Sequence, residues 1–322
     1  MNKKFIIFTG GTGGHVIPSV NLGNYLINKN YNCTIVTDKR GKKYTYNFNG
    51  KVKIISSSHL SGNAKFKLLA LIKLIYSFFQ SFIIIIKIKP NYAFSFGSYA
   101  SLVPSIVVIL LKFFFKTKYY IHEQNAAMGL SNKILIIFAD KIFLNFNIRD
   151  NFKSNIKIFN KTHVVGLPNK EYNNRLNFNK TNKSFNLFVY GGSQGSIPLL
   201  IFLEKLISVM DAKSIDMINF IVQSPNNYKN NILKTLKDYS CQYQLSEFFI
   251  DIDKILLTSN LIISRSGAGT IDDIIRYKIP SILMPIPSSK NNHQYRNAKI
   301  LSNNDCVVII EENNINIDKA IN

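Results

Sequence analysis

Residues Thr9–His15, with the sequence TGGTGGH, decide the fold of this chain. They follow the apolar run Phe5–Phe8 and precede an amphipathic segment that continues beyond Pro18. A short apolar run that stops at glycines is typical of a buried strand that enters a tight turn and then a helix. Glycine lets the backbone approach a ligand closely, and a helix N-terminus favours an anion. The stretch therefore predicts a strand-turn-helix unit that binds phosphate.

Spacing excludes two better-known phosphate loops, and a purely structural turn remains the alternative. The dinucleotide fingerprint requires a third glycine where Val16 stands, and the P-loop requires a Lys-Ser/Thr pair that this stretch lacks. His15 adds a titratable group at the carboxyl end of the strand, where open α/β sheets bind ligands. We therefore expect this loop to bind an anion and His15 to exchange protons there.

Length and charge limit the class of protein. The 322 residues predict two domains, and the net charge of +22 would suit nucleic acid, an anionic membrane surface or a phosphorylated substrate. The lysines are scattered, and no helix-turn-helix, zinc-finger or aromatic RNA-binding motif accompanies them. We therefore expect no nucleic-acid partner.

The cysteines and the N-terminal sequence favour a reducing compartment. Cys33, Cys241 and Cys306 lack the paired spacing of a disulfide framework or a zinc site. The segment that follows Lys3 and Lys4 lacks the layout of a signal peptide. We expect the protein to remain in the cytoplasm.

Alternating strands and helices continue after the first loop. The first helix is predicted to end at Asn30, and the further strands of this half are Cys33–Thr37, Lys51–Ser57, Tyr92–Phe96, Lys118–Ile121, Lys141–Leu144 and His163–Val165. Gly97–Tyr99 and His122–Asn125 follow two of these strands, so their polar groups reach the same sheet edge as the glycines. For His122 alone, a structural role is favoured over catalysis.

Leu68–Ile86 is almost wholly apolar and long enough to span a bilayer. Lys73, the polar residues near the middle of the segment and the strand that follows at Tyr92 argue against a span. A basic rim favours docking on an anionic membrane surface, with burial in the protein core as the alternative. Leu102–Phe115 repeats the pattern and would widen the same patch. The rim consists of Lys65, Lys67, Lys73, Lys87 and Lys89.

After a linker up to Ser184 the pattern restarts. The predicted strand Phe185–Tyr190 runs into Gly191–Ser196, a second phosphate-binding turn. Ser264–Thr270 forms a third such turn, and the helix that it opens carries Asp272 and Asp273 as acceptors for hydroxyl groups. Further strands are predicted at Asn219–Gln223, Leu261–Ser264 and Ser281–Met284. The chain is thus predicted to be an α/β protein with Rossmann-like domains at residues 1–165 and 166–322.

In this order the motifs resemble those of the MurG family of inverting GT-B glycosyltransferases, from Lys4 to about Glu312. The motifs are Gly10–His15, Phe96–Tyr99, His122–Asn125, Gly129–Asn132, Gly191–Gly195, Ser264–Thr270, His293–Gln294 and Asn297–Ala298. The resemblance implies two Rossmann-like domains whose parallel sheets face each other across a cleft. It also implies transfer of N-acetylglucosamine from its UDP donor to undecaprenyl-diphospho-muramyl-pentapeptide (lipid I), which gives lipid II for peptidoglycan synthesis and cell-wall biogenesis.

The resemblance also implies roles for individual residues. The amino-terminal half would bind the lipid acceptor, with the acceptor diphosphate on Gly10, Gly11, Gly13 and Gly14, and His15 would be the general base. The carboxyl-terminal half would hold UDP, with Asp273 on the ribose in place of the family's glutamate. The residues implied to bind UDP-N-acetylglucosamine are Thr12, Gly13, Gly14, Asn125, Lys170, Ser193, Gln194, Ile250, Ala268, Gly269, Thr270, Asp273, His293 and Gln294.

A second substitution departs from the family. Lys170 stands where the family has arginine, so it can supply charge but no bidentate contact to phosphate. The resemblance implies no cofactor and no metal ion, because N–H groups and side chains neutralise the departing diphosphate. It places the protein peripherally on the cytoplasmic face of the plasma (inner) membrane. The alternatives are a GT-B transferase with another lipid acceptor, such as diacylglycerol, and a degenerate UDP-sugar-binding protein.

Overall fold

The computed structural model describes residues 3–58, 63–169, 185–192, 195–249, 251–303 and 305–314. The chain divides into two compact units, Met1–Tyr172 and Asn173–Asn322. Each unit contains one parallel β-sheet with helices between the strands. The finer domain boundary between residues 165 and 166 stays a prediction.

The first unit alternates strands and helices along the chain. Its strands are β1 (Lys4–Phe8), β2 (Asn32–Thr37), β3 (Lys51–Ile54), β4 (Tyr92–Ser95), β5 (Lys118–Glu123), β6 (Lys141–Leu144) and β7 (Thr162–Val164). Its helices are α1 (Gly13–Asn28), α2 (Lys39–Lys42), α3 (Ala64–Ile88), α4 (Tyr99–Phe115), α5 (Leu130–Leu135) and α6 (Ile156–Lys161). All strand pairs are parallel, in the order β3-β2-β1-β4-β5-β6-β7.

The sequence explains why β1 lies near the centre of this sheet. Phe5–Phe8 are all buried, as expected for a parallel strand that is covered on both faces. The following helix begins at Gly13, five residues before Pro18, because the Thr12 carbonyl accepts hydrogen bonds from the N–H groups of His15 and Val16. The glycines therefore form both the turn and the first helical residues.

Helix α3 exposes most of its apolar side chains. The predicted apolar segment forms part of a single helix of 25 residues. Its buried residues lie on one narrow stripe: Ala70, Ser77, Ser81 and Ile85. Helix α3 packs on α4. The helix is long and apolar enough to cross a membrane, but only 22% of its most apolar stretch is buried inside the protein. Burial in the core is therefore the wrong interpretation of this segment.

The apolar surface continues on α4, where Phe113 and Phe114 are 83% and 81% exposed. Exposed lysines border it, namely Lys67, Lys73, Lys87, Lys89 and Lys116. The side chain of Lys65 is not among those described. We call the exposed apolar residues of α3 and α4 the apolar face; the largest are Phe66, Leu68, Ile72, Ile75, Tyr76, Phe79, Ile83, Leu110, Phe113 and Phe114.

The second unit repeats this architecture. Its strands are β8 (Phe185–Tyr190), β9 (Ile218–Gln223), β10 (Gln242–Ser246), β11 (Leu261–Ser264), β12 (Ser281–Leu283) and β13 (Val307–Ile309), in the order β10-β9-β8-β11-β12-β13. Its helices are α7 (Ile197–Val209), α8 (Ala212–Asp216), α9 (Lys229–Asp238), α10 (Ile252–Thr258), α11 (Ala268–Tyr277) and α12 (His293–Lys299). Strands β10 and β13 are additions to the predicted set, and β3 ends three residues before its predicted end.

Candidate active site

The strand order of the first sheet reverses between β1 and β4. In open α/β sheets, ligands bind in the crevice outside the carboxyl ends of the strands at such a point. Gly10–Thr12 follow β1, Gly97 and Ser98 lie after β4, and β5 ends at Glu123. The structure therefore brings three of the sequence motifs together at one sheet edge.

Asp38 holds the first glycine loop in place. Its Oδ1 accepts hydrogen bonds from the backbone N–H groups of Gly11 (3.0 Å) and Gly41 (2.9 Å). Its Oδ2 accepts from Arg40 Nε (2.9 Å) and Ser57 Oγ (3.0 Å). Burial alone would raise the pKa of Asp38, but these four hydrogen bonds together hold it below its usual value. No sequence motif pointed to Asp38, although it directly follows the predicted strand Cys33–Thr37.

The backbone of this loop requires glycine. A Cβ atom on Gly10 would lie 2.6 Å from Ala100 Cβ and 2.9 Å from Asp38 Oδ1, and Gly11 has a φ of +78°. Arg40 Nη2 lies 3.9 Å from the position that a Cβ atom of Gly11 would occupy, and the Arg40 side chain is 54% exposed. An accessible cation therefore stands beside the predicted phosphate loop.

His15 is the third residue of α1, and its ring is held through one nitrogen. Nδ1 lies 2.9 Å from the Phe96 carbonyl oxygen and 2.7 Å from Gln124 Oε1. A backbone carbonyl only accepts, so Nδ1 must carry the proton of the neutral ring. Nε2 then keeps its lone pair, which is the form that a general base requires.

His122 is buried next to this histidine. Its ring stacks on Phe96 with 5.0 Å between the ring centroids, and its Nε2 lies 2.9 Å from the Gly166 carbonyl oxygen. Burial lowers the pKa of His122 to about 4, so the ring is neutral at physiological pH. These contacts agree with the structural role favoured for His122.

Glu123 organises the loop that carries Asn125. Its carboxylate accepts hydrogen bonds from the backbone N–H groups of Asn125 (3.1 Å) and Gly129 (2.9 Å) and from Asn132 Nδ2 (2.8 Å). A buried carboxylate with several donors fixes a loop firmly, because leaving any donor unpaired costs free energy. Asn125 is thereby positioned at the same sheet edge as His15.

In the second unit the strand order reverses between β8 and β11. The loop after β8 begins at Gly191, whose N–H donates to Gln223 Oε1 (3.1 Å). A Cβ atom on Gly191 would lie 2.4 Å from two backbone atoms, Gly195 C and Ser196 N. Gly192 and Gly195 have φ values of +80° and +70°. This loop therefore turns back on itself in a way that only glycine permits.

Arg265 is a buried cation that the sequence analysis did not single out. Its Nε donates to Ser196 Oγ (2.9 Å), its Nη1 donates to the Met284 carbonyl oxygen (3.0 Å), and its Nη2 pairs with Glu312 at 2.6 Å. Arg265 thus joins the loop after β8 to the end of β12. It lines a pocket of about 620 Å³ together with Gly195, Ser196, Pro225, Ile286 and Glu312.

The third predicted turn lies at the start of α11. Ala268, Gly269 and Thr270 form its first turn, and Gly267 is the N-cap. Ser266 Oγ donates to the Gln294 carbonyl oxygen (2.9 Å), so this turn is tied to α12. Gln294 Oε1 accepts from the Ile286 N–H (3.0 Å) and therefore holds the loop after β12. His293, at the start of α12, is half-buried.

The two acidic residues of α11 have different environments. Asp272 pairs with Arg276 at 2.5 Å, so its carboxylate is engaged within the helix. Burial raises the pKa of Asp273 to about 7; the negative charges of Asp272 and Asp253 add to the rise, and Arg276 opposes it. Of the two predicted hydroxyl acceptors, Asp272 is thus engaged by Arg276, whereas burial has the largest effect on Asp273.

We predict that Asp273→Asn stabilises the protein at high pH. Asp273 has a higher pKa folded (about 7) than unfolded (about 3.9), so the wild type loses stability as pH rises through this window. We expect the variant to gain about 1 kcal/mol or more at pH 8 and progressively less toward pH 4. Urea unfolding at pH 5 and pH 8 measures this. Exposed Asp238→Asn is the control, and a gain that does not depend on pH would contradict the prediction.

Four predicted donor-binding residues lie outside the described residues: Lys170, Ser193, Gln194 and Ile250. The other predicted site residues follow the carboxyl ends of strands in their own unit. Within the described ranges, no group of three or more His, Cys, Asp or Glu side chains is arranged to hold a metal ion.

Two parallel α/β units, each with a glycine loop at its switch point, define the GT-B class of glycosyltransferases. Residues 5–144 match the model of the glycosyltransferase family 28 N-terminal domain, and residues 186–322 match that of its C-terminal domain. The chain belongs to glycosyltransferase family 28 and, within it, to the MurG family. The predicted fold class and family are therefore confirmed.

Relatives from two Rickettsia species are both named UDP-N-acetylglucosamine–N-acetylmuramyl-(pentapeptide) pyrophosphoryl-undecaprenol N-acetylglucosamine transferase. The protein of Rickettsia typhi is 31% identical, over 98% of this chain and 89% of its own length. That of Rickettsia canadensis is 32% identical, over 98% and 88%. The crystal structure of MurG from Acinetobacter baumannii has the same fold, with a TM-score of 0.75 and 20% identity over 98% of this chain and 87% of that one.

Proposed function

We propose that this protein transfers N-acetylglucosamine from UDP-N-acetylglucosamine to the 4-hydroxyl group of the muramyl sugar of lipid I. The product is lipid II, a precursor of peptidoglycan. One observation of the structure supports the proposed reaction: His15 has a free lone pair on Nε2, beside a glycine loop at the point where the strand order reverses. The names of the Rickettsia relatives support the choice of donor and acceptor.

The reaction is a single displacement. His15 Nε2 takes the proton of the muramyl 4-hydroxyl group, and that oxygen attacks the anomeric carbon of the donor sugar. The bond between this carbon and the β-phosphate oxygen of UDP breaks, the electron pair leaves with UDP, and the configuration inverts. His15 then returns its proton to solvent.

The first glycine loop binds the diphosphate of the acceptor. Its backbone N–H groups stand at the N-terminus of α1, where the helix dipole favours negative charge. Asp38 holds the N–H of Gly11, which sets the shape of the loop, and Arg40 supplies a cation next to it. Lys and Arg side chains bind phosphate through charge-assisted hydrogen bonds.

The second unit binds the donor. The loop after β8, the first turn of α11 and the start of α12 all follow strands of one sheet, β8, β11 and β12. Helix N-termini and glycine loops suit the UDP diphosphate, and Asp273 accepts from the ribose hydroxyls. The individual donor contacts given above stay predictions.

The apolar face docks on the cytoplasmic surface of the plasma membrane. Large apolar side chains cover the outward side of α3, and exposed lysines surround them. Apolar groups bury themselves at the acyl boundary, and each lysine near an anionic surface adds roughly 1 kcal/mol of attraction. Docking there brings the enzyme to an acceptor whose polyprenyl chain remains in the bilayer.

We predict that replacing Phe113 and Phe114 together by serine weakens binding to vesicles of phosphatidylglycerol and phosphatidylcholine. Burying one such side chain is worth about 1.5–3 kcal/mol when complete, so partial insertion of two predicts a loss of roughly 10- to 100-fold in the partition coefficient. Vesicle co-sedimentation measures it. Tyr46→Ser, at an exposed aromatic residue outside α3 and α4, is the control. Unchanged partitioning of the double variant would show that the apolar face does not dock.

A transfer assay tests the proposed function directly. Labelled UDP-N-acetylglucosamine is incubated in detergent with a short-chain lipid I analogue, with diacylglycerol or without acceptor, and both product and UDP release are followed. We expect product with the lipid I analogue alone. Product with diacylglycerol alone would establish another lipid acceptor, and UDP binding without any transfer would establish a degenerate binding protein.

A further inference from the structure

The Gln124 side chain bridges the two histidines of the first unit. Its Oε1 lies 2.7 Å from His15 Nδ1, and its Nε2 lies 3.2 Å from His122 Nδ1 and 2.9 Å from the His122 carbonyl oxygen. Gln124 itself is buried. The Gln124 amide thus connects His15, next to the glycine loop, with the buried ring of His122.

The His122 carbonyl determines which way the amide points. A carbonyl oxygen only accepts, so the group 2.9 Å from it must be the amide nitrogen of Gln124. Oε1 then faces His15, and the Nδ1 proton of His15 is shared between two oxygens, Gln124 Oε1 and the Phe96 carbonyl. Two independent acceptors therefore require the same tautomer of His15.

The same logic fixes the tautomer of His122. Gln124 Nε2 donates toward His122 Nδ1, so this nitrogen carries the lone pair. Its Nε2 carries the proton and donates to the Gly166 carbonyl at 2.9 Å. The ring stacked on Phe96 is thereby held at both nitrogens. Every donor and acceptor in this chain of hydrogen bonds has one consistent assignment.

We propose that Gln124 is a positioning residue that holds His15 with Nδ1 protonated and Nε2 free to accept the proton, and that His122 anchors Gln124. The inference rests on the proposed role of His15 as the base. When His15 accepts a proton, its Nδ1–H becomes a charged donor, and hydrogen bonds from charged donors are about twice as strong as neutral ones. Gln124 then stabilises the imidazolium by its carbonyl dipole, where many hydrolases use a carboxylate.

The nearby carboxylates are engaged elsewhere. Glu123 accepts from Gly129 and Asn132, and Asp38 accepts from Gly11 and Gly41. In the part of the chain that the structure describes, the hydrogen bonds of the His15 ring go to Phe96 and Gln124 alone. Ionisable groups in the segments at this edge of the sheet include Asp38, Arg40, Tyr44, Tyr99, His122 and Glu123.

Two substitutions of Gln124 separate positioning from simple packing. Gln124→Met keeps the length of the side chain but removes both the acceptor for His15 and the donor to His122, whereas Gln124→Glu loses the donor and keeps an oxygen toward His15. We expect Gln124→Met to lower kcat roughly 10- to 100-fold, with KM for UDP-N-acetylglucosamine unchanged. We expect the acidic limb of its pH profile to move down by about one pH unit, because the charged form of His15 loses an acceptor. Gln124→Glu should instead move the acidic limb up, because a carboxylate oxygen beside His15 stabilises the charged imidazolium.

Gln80→Met is the matched control, because Gln80 Oε1 also accepts one hydrogen bond, from the Ser56 N–H at 2.8 Å, away from the site. It should leave the acidic limb unmoved. Acidic limbs that move in the same direction in Gln124→Met and Gln124→Glu, or an unmoved acidic limb in Gln124→Met, would overturn the proposal.

A measurement without turnover tests the same assignment in the unmodified protein. Long-range ¹H–¹⁵N spectra of histidine-labelled protein distinguish the two neutral tautomers, and His15→Gln assigns the signal of His15. We expect the Nδ1-protonated form, and the Nε2-protonated form would overturn the proposal. Normal turnover of a His15 variant would instead remove the proposed base and leave the tautomer result standing, so the two failures are distinguishable.

Discussion

His15→Ala is expected to lower kcat for transfer to a lipid I analogue by roughly 10²- to 10⁴-fold, the usual contribution of a positioned general base. The Nε2 atom of the His15 imidazole carries the lone pair beside the first glycine loop. Alanine has no group that can take the hydroxyl proton. The backbone N–H groups of the loop remain in the variant. Initial rates at saturating donor and acceptor measure the effect.

The matched control is His163→Ala, which removes an exposed histidine of β7 in the same unit. We expect its kcat to equal that of the wild type. UDP binding by His15→Ala should also be unchanged, because the proposed UDP site lies in the second unit. Near-normal turnover of His15→Ala would show that another group removes the proton.

Gly191→Ala should raise the dissociation constant for UDP more than tenfold. The added Cβ atom would lie 2.4 Å from Gly195 C and Ser196 N, distances that force the backbone of the loop to move. Ser196 also accepts the hydrogen bond from Arg265, so a shifted loop breaks the contact that joins it to β12. Isothermal titration of UDP measures the loss.

Gly129→Ala serves as the control for this substitution. A Cβ atom there would approach no closer than 3.7 Å to Glu123 Oε2, an ordinary van der Waals contact, and Gly129 has a φ of −67° that alanine adopts freely. We expect it to bind UDP as the wild type does. If Gly191→Ala also binds UDP normally while remaining folded by circular dichroism, the loop after β8 does not hold the donor.

The central strands were predictable, and the last strands at the edges of the second sheet were not. Phe5–Phe8 of β1 is a continuous apolar run, β8 is apolar except for Asn186, and both lead into glycines, which is the pattern of buried parallel strands. β10 (QYQLS) is mostly exposed at a sheet edge, and β13 has three residues. β10 carries no apolar run, and the apolar run of β13 is only three residues long, so the place of each edge strand in the sheet comes from pairing with its neighbour.

Helix α3 shows where periodicity carries no information. An almost unbroken apolar segment has no polar face, so its sequence is compatible with a membrane span, a core helix and a surface helix. The pattern of burial decides between a core helix and a surface helix, because Ala70, Ser77, Ser81 and Ile85 form the stripe that packs inward. The large apolar side chains point outward.

By itself the sequence determined the two α/β units, the three glycine turns and His15, because each of these depends on residues that are adjacent in the chain. Only the tertiary structure showed that Asp38 holds Gly11 from 27 residues away, Gln124 holds His15 from 109 and Arg265 holds Ser196 from 69. Turns and strands follow from local propensity and burial, whereas the state of a catalytic side chain depends on which distant donors and acceptors the packed sheet edge brings within hydrogen-bonding distance.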